Sequence, residues 1–454
     1  MIVIIKHLLS FLIAYLIGLI VYGKLNTTIK KDYIIYKIHS FFIGIGTTSL
    51  LFWFFTVLTN GQNKFYPLFE IILASLLFIK TKKTNIKALS LKEIRIFTKR
   101  NFITFILFTL IFTYIYYYSS ILPNGTCDAF YMFNYKAKYL AYEKPAFWYG
   151  IFSEHLSDSH LDYPLFLPSI VARFAVYTNG YNDLSPAILT IIFSFSIFLQ
   201  LYTYLYKLKD WYHAIVAICI LSASEKFIFY SVWQCSDIPL ALYILISIYE
   251  LVIWTKTNGD KKLPLTAIYC SSIVLWIKNE GAVFFLLFII IIIIFGIKQR
   301  INIKNFLKSW IVLCPSFFAL ILLHIFYTEP NDLLDKLFSR LNGFYELYRY
   351  YYLLMFIYYF IYRNIWLIAI PFLFLKKYTS VHYSNLRVLL IIPSISYIIY
   401  CSTYFITPHN FYWHIQNSFD RIMLHYIPML LFYFLLLIPS ERLMLSLDKT
   451  QTRD

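Results

Sequence analysis

The sequence predicts an all-helical integral membrane protein, a multipass bundle of about thirteen transmembrane helices broken by one long polar loop. Three observations carry that prediction. Hydrophobic residues make up 60% of the chain and mean hydropathy is +0.65, far above a soluble globular protein. The apolar residues come in runs of about 20, the length that crosses a bilayer as a helix. Lysine and arginine gather in the short loops between those runs. The net charge of +17 therefore reads as the positive-inside pattern of a membrane protein, and no nucleic-acid partner is expected.

Taken in order, the candidate spans are 2–22, 38–59, 65–80, 102–121, 185–206, 213–230, 238–255, 263–277, 281–297, 309–327, 361–375, 388–405 and 421–438. No small-residue cleavage site follows the first, which reads as a retained helix and not a signal peptide. The segment 80–101, KTKKTNIKALSLKEIRIFTKRN, is dense in positive charge and is assigned to the cytoplasm. Alternating outward puts Lys24, Lys30, Lys31 and the basic stretches at 207–210, 256–262, 298–308 and 376–377 on the same side. That holds only if 164–178 does not cross. This stretch opens with Pro164, carries Pro168 and Arg173, and suits a re-entrant or surface helix. The chain then divides into a three-helix membrane extension with its basic loop (1–101), a membrane domain (102–438) and a cytoplasmic tail (439–454).

Within the membrane domain, 122–184 forms the long non-cytoplasmic loop with its juxtamembrane helices. Its core, Leu122 to Pro164, holds Asp128, Lys136, Lys138, Glu143, Glu154, His155, Asp158, His160 and Asp162 among many aromatic residues. A turn between helices needs only a few residues, so a loop of this length and composition reads as a layer anchored on the membrane surface. The same face receives the turn 225–237, Lys278-Asn279-Glu280, the segment 328–360 and TPHNFYWHIQNSFDR at 407–421. Independent loops converging on one face suggest a shared site.

The candidates each have an ordinary alternative. Asp128, at the lip of the membrane, suits a general base toward an acceptor hydroxyl or amine, or is a solvated loop acid. Asp237 opens the helix 238–255 with Pro239 just inside, which makes it a routine cap or a holder of acceptor or divalent cation. Lys278 and Glu280 interrupt an apolar hairpin, where charge is costly unless paired or exposed to water. Lys278 suits a phosphate as a point charge. His414, Ser418 and Arg421 share one face if their segment is helical, and Arg421 suits a phosphate or snorkels at the interface. His155, Asp158, His160 and Asp162 match no zinc spacing and read alone as a solvated loop. The six cysteines are scattered singly, which supports neither a zinc site nor a disulfide framework. Cys127 and Cys235 both adjoin singled-out acids and are the one pair to consider.

The order of a span, an acid in a long external loop, a DYP-type element with a surface helix, and then another span resembles the GT-C superfamily. These are polyprenyl-phosphate-sugar glycosyltransferases, which include protein O-mannosyltransferases and lipid A aminoarabinose transferases. PNGTCDAFYMFNYKAKYL resembles that family's first-loop motif, HLDYPLFLPSIVARF the element closing the loop, and QCSDIPLALY the second acidic motif. WIKNEG and TPHNFYWHIQNSFDR resemble motifs of a bacterial branch. The resemblance spans roughly 102–438 and leaves the first three helices without a counterpart. It implies Asp128 as catalytic base and Asp237 in a metal- or acceptor-binding role. It implies Lys278, His414 and Arg421 as contacts for the carrier phosphate, with Glu280, His160 and Asp162 on the substrate side. Asp128 is followed by Ala129 and not by a second acid, so a requirement for Mg or Mn stays open.

The resulting expectation is a glycosyltransferase of a bacterial inner membrane. It takes a sugar from an undecaprenyl-phosphate donor to a periplasmic lipid A, glycan or protein acceptor. The competing expectations are a transporter or flippase of polyprenyl-linked glycans and a nonenzymatic glycan-assembly protein.

Overall fold

The computed structural model describes residues 2–25, 33–81, 99–142, 148–152, 159–256, 263–326, 337–363 and 388–438, which form helices and turns with no strand among them. The chain runs through α1 (Ile2–Leu25), α2 (Tyr33–Leu58), α3 (Tyr66–Thr81), α4 (Lys99–Ile121), α5 (Tyr135–Ala141), α6 (Phe166–Thr178), α7 (Leu184–Leu208), α8 (Trp211–Ser222) and α9 (Glu225–Ser231). It continues through α10 (Asp237–Lys256), α11 (Leu265–Ile277), α12 (Gly281–Lys298), α13 (Ile303–Phe326), α14 (Leu337–Arg340), α15 (Leu347–Arg363), α16 (Ile391–Thr403), α17 (Phe411–Leu424) and α18 (Ile427–Leu437).

Seven helices, α1, α2, α4, α7, α10, α12 and α13, are long and apolar enough to cross a membrane. Two more spans arise if α8 with α9, bent by 75°, and α17 with α18, bent by 41°, each count as one. The thirteen spans expected from the sequence are not reached among the described residues. The shortfall has a physical reason. α3 has 16 residues and α11 has 13, about 24 Å and about 20 Å at 1.5 Å per residue, against a hydrocarbon core of about 30 Å. Every residue of α11 from Thr266 to Ile277 is buried in protein, and hydropathy alone does not separate such a core helix from a spanning one. The expected span 361–375 lies mostly outside the described residues.

The chain forms two compact units, Met1–Ser194 with Ser231–Glu329, and Phe195–Tyr230 with Pro330–Asp454. In the first, α1 and α2 pack backbone to backbone, because Gly18 and Gly44 leave no side chain where a Cβ would overlap the carbonyls of Ser40 and Ala14. The first three helices pack with α6 and α11, so the packing draws no line at residue 101. A buried ion pair fixes α6. Arg173 donates from Nε and Nη2 to the Glu70 carboxylate, both at 2.9 Å, and from Nη2 to the Ser10 carbonyl at 2.7 Å. The hydroxyls of Tyr66 and Tyr177 donate to the same carboxylate at 3.0 and 2.6 Å. The arginine that argued against a crossing at 164–178 is thus satisfied inside the unit.

In the second unit, α17 packs on α15 and α18 on α8. Arg349 ties the start of α15 to the carbonyls of Tyr404 and Phe405 at 3.2 and 3.0 Å. Asn410 caps α17, its Oδ1 accepting from Trp413 N at 3.0 Å, and Pro428 restarts the chain as α18 after the bend.

Candidate functional site

The site is built where three turns of the first unit meet. The turn between α11 and α12 is tight: Gly281 N donates to the Lys278 carbonyl at 2.9 Å. Three polar side chains therefore project from consecutive positions. Lys278 Nζ lies 2.9 Å from Asp237 Oδ1 and 2.8 Å from Glu280 Oε1. Asn279 Nδ2 donates to Asp162 Oδ2 at 2.6 Å. The charges that interrupt the apolar hairpin are paired, as the cost of desolvating them requires.

Asp237, only 4% exposed, is the first residue of α10. Its carboxylate does more than cap that helix, since it holds the Lys278 ammonium. The turn before it carries Gln234 at φ +59, a left-handed conformation that is rare outside glycine and asparagine. This strained residue is a junction. Its Nε2 donates to the Pro123 carbonyl at 2.7 Å, and its Oε1 accepts from Asn134 Nδ2 at 3.0 Å. Gly125, at φ +69, sits so near Trp233 and Gln234 that a Cβ would strike both.

These contacts lay the Asp128 turn directly on the Asp237 turn. Asp128 is half-buried and heads a single π-helical turn, Ala129–Asn134, a backbone form concentrated at functional sites. The π-helix leads into α5, where Lys136 is 1% exposed and donates from Nζ to the His160 carbonyl at 2.7 Å. Burial lowers the Lys136 ammonium from the ordinary 10.5 to about 7, against the opposing pull of Asp162. His160 has φ +49 and stacks its ring on Tyr163, whose ring centroid lies 5.8 Å from Lys278 Nζ.

The structure therefore brings Asp237, Lys278, Glu280, Asp162 and His160 into one polar cluster with the Asp128 turn beside it. His414 and Arg421 belong to the second unit. There the 407–421 segment is helical from Phe411, as the shared-face argument required. Arg421 is buried on α17, and His414 Nδ1 lies 2.7 Å from Thr407 Oγ1. Glu154, His155 and Asp158 lie outside the described residues.

Lys278, the candidate point charge for a phosphate, lies within 2.9 Å of the Asp237 and Glu280 carboxylates. Asp237, the candidate holder of acceptor or divalent cation, contacts the Lys278 ammonium through Oδ1. No group of three or more His, Cys, Asp or Glu side chains among the described residues is placed to hold a metal. Cys127 and Cys235 are both free thiols.

Sequence reasoning gave no role to Lys136, Asn134, Gln234 or Asn279. Asn279 stands between two singled-out residues, and Gln234 directly precedes the CSD stretch, so polarity inside an apolar context was the available signal. Nothing in local spacing marks Lys136 as buried. No protein-family profile matches the chain, and no curated protein or solved structure compared with it matches either.

Proposed function

We propose that this protein is an integral membrane glycosyltransferase that moves a sugar from a polyprenyl-phosphate donor, undecaprenyl phosphate in a bacterial inner membrane, to an acceptor on the non-cytoplasmic face. One observation supports this above the others. The Asp128 turn, Asp237, the Lys278–Glu280 hairpin and Asp162 are linked at one end of the first unit by hydrogen bonds and an ion pair between turns far apart in sequence. α10 and α12 both start at this cluster and run to basic ends, Lys256 and Lys298. By the positive-inside rule those ends face the cytoplasm and the cluster faces the periplasm.

In this reading Asp128 accepts the proton of the acceptor hydroxyl while the acceptor oxygen bonds to the anomeric carbon. The anomeric carbon–oxygen bond to phosphate breaks, and the lipid phosphate leaves with that electron pair. Direct displacement inverts the anomeric configuration. Buried cations near the leaving oxygen stabilise the developing charge. Asp237, by holding Lys278, which also pairs with Glu280, keeps the hairpin in place. The acceptor is a lipid, glycan or protein.

A second reading, a carrier of lipid-linked glycans, draws on a different observation. His39 Nδ1 lies 2.6 Å from Glu250 Oε1, and Tyr22 donates to the same oxygen at 3.0 Å, deep between α1, α2 and α10. Ionisable groups at such positions are a feature of transport pathways.

Mass spectrometry of surface glycans and lipid A tests the two. Wild type, a deletion and an Asp128→Asn strain with wild-type protein levels are compared. Loss of the same one-sugar increment in deletion and variant supports the transferase. Glycans lost in the deletion but intact in Asp128→Asn sink it, and a His39→Gln defect would then favour the carrier.

A further inference from the structure

We propose that Lys136, and not Lys278, is the cation that receives the anionic phosphodiester of the site's ligand. The identity of that anion rests on the transferase reading. The argument begins with charge. Lys278 lies within 2.9 Å of two carboxylate oxygens, so its immediate surroundings carry excess negative charge before any ligand arrives. A phosphate brought to that ammonium meets Asp237 and Glu280 at the same distance and is repelled by both.

Among the described residues, Lys136 bonds no carboxylate oxygen; its one hydrogen bond goes to a neutral acceptor, the His160 carbonyl, at 2.7 Å. An ammonium has three N–H donors, so two remain. The nearby carboxylate of Asp162 is itself engaged by Asn279 at 2.6 Å. Holding an ammonium in the interior with only a carbonyl bonded to it is unfavourable, Asp162 offsets only part of that cost, and a phosphate oxygen would add a directly bonded counter-charge. α5 follows the π-helical turn of Asp128 directly, so the proposed base and this cation sit on one continuous stretch of chain.

The arrangement has a proton signature. Burial keeps Lys136 close to half-protonated at neutral pH, and an arriving anion favours the charged form, so binding takes up a proton. Among the described residues, the other charged groups on and around α5 have their own contacts, Lys138 Nζ lying over the rings of Phe130 and Tyr181. Asp162 is bonded by Asn279, and Arg173 on α6 is paired with Glu70. Asp128 heads the π-helix, Tyr149 and Tyr177 lie on the flanking helical segments, and His160 supplies the turn's imidazole.

The test measures binding of methyl citronellyl phosphate to the purified protein in detergent by calorimetry. This phosphodiester carries one negative charge that does not titrate in the working range. Wild type, Lys136→Arg and Lys136→Met are compared from about pH 6 to about pH 9. Wild-type affinity is expected to fall about tenfold per pH unit above about 7, the slope of a site that needs one bound proton. Lys136→Arg should bind with a flat profile, and Lys136→Met should lose about tenfold or more at the acid end. The wild-type profile needs no variant to fold. Binding that neither pH nor Lys136→Met alters overturns the role of Lys136 and leaves the transferase reading standing. Failure of folded wild type to bind the probe at about pH 6 overturns both.

Discussion

Glu70→Gln should destabilise the first unit more than any single substitution in the polar cluster. The Glu70 carboxylate receives Arg173 Nε and Nη2 at 2.9 Å each, Tyr66 at 3.0 Å and Tyr177 at 2.6 Å. Glutamine keeps one acceptor oxygen and turns an NH2 group toward donors, so about half of these bonds are lost. Arg173, 1% exposed, is left without its counter-ion. Breaking a buried pair from one side costs about 3–5 kcal/mol. At about 2 °C per kcal/mol for a large domain, the unfolding midpoint should fall by about 6–10 °C. Tryptophan fluorescence during heating, in one detergent, reads this directly. The companion is the Glu70→Gln, Arg173→Met double variant, which removes both charges and should be more stable than the sum of the single losses predicts. A Glu70→Gln midpoint within about 1 °C of wild type, or strictly additive losses, would show that the pair contributes little and refute the reasoning.

Further outcomes follow from other contacts. Gly18→Val puts a side chain into the Ser40 carbonyl and should lower the midpoint by several degrees, about 1–3 kcal/mol or more. Gly23→Ala on the same helix meets only the Tyr36 hydroxyl at 3.3 Å and should be tolerated. Asn279→Ala removes the 2.6 Å bond to Asp162 and leaves Lys278 paired, so stability should fall by no more than about 1–3 kcal/mol while, on the proposed transferase reading, product formation falls. Lys136 also makes stability pH-dependent. Its ammonium titrates near 7 in the folded chain and near 10.5 when unfolded, so the unfolded chain binds the extra proton between those values. Denaturation should therefore show stability rising with pH across that window, and Lys136→Met should remove this contribution.

Much of the architecture was legible because membrane-spanning length and basic loops are local properties. Helices at 2–25, 33–58, 237–256 and 281–298 follow from apolar runs, and the spacing of His414, Ser418 and Arg421 fits one face of the helix the structure shows there. For Lys278 the sequence left two outcomes, pairing or exposure to water, and the structure shows it paired. Its partner was not legible. Asp237 lies 41 residues away in sequence, and only the packing of α10 on α11 brings it to the ammonium.

What the sequence determined by itself is therefore a membrane-embedded helical chain whose acids and cations cluster in a few loops. Tertiary structure decided which of those charges neutralise one another. Gln234, 111 residues from Pro123 and 100 from Asn134, joins the two acidic turns, and Asn279 reaches Asp162 across 117 residues. It also decided that Lys278 is paired with two carboxylates while Lys136 is buried against a carbonyl. The reason is dielectric. An ion's energy in the interior depends on the few atoms packed around it, and residues distant along the chain supply those atoms.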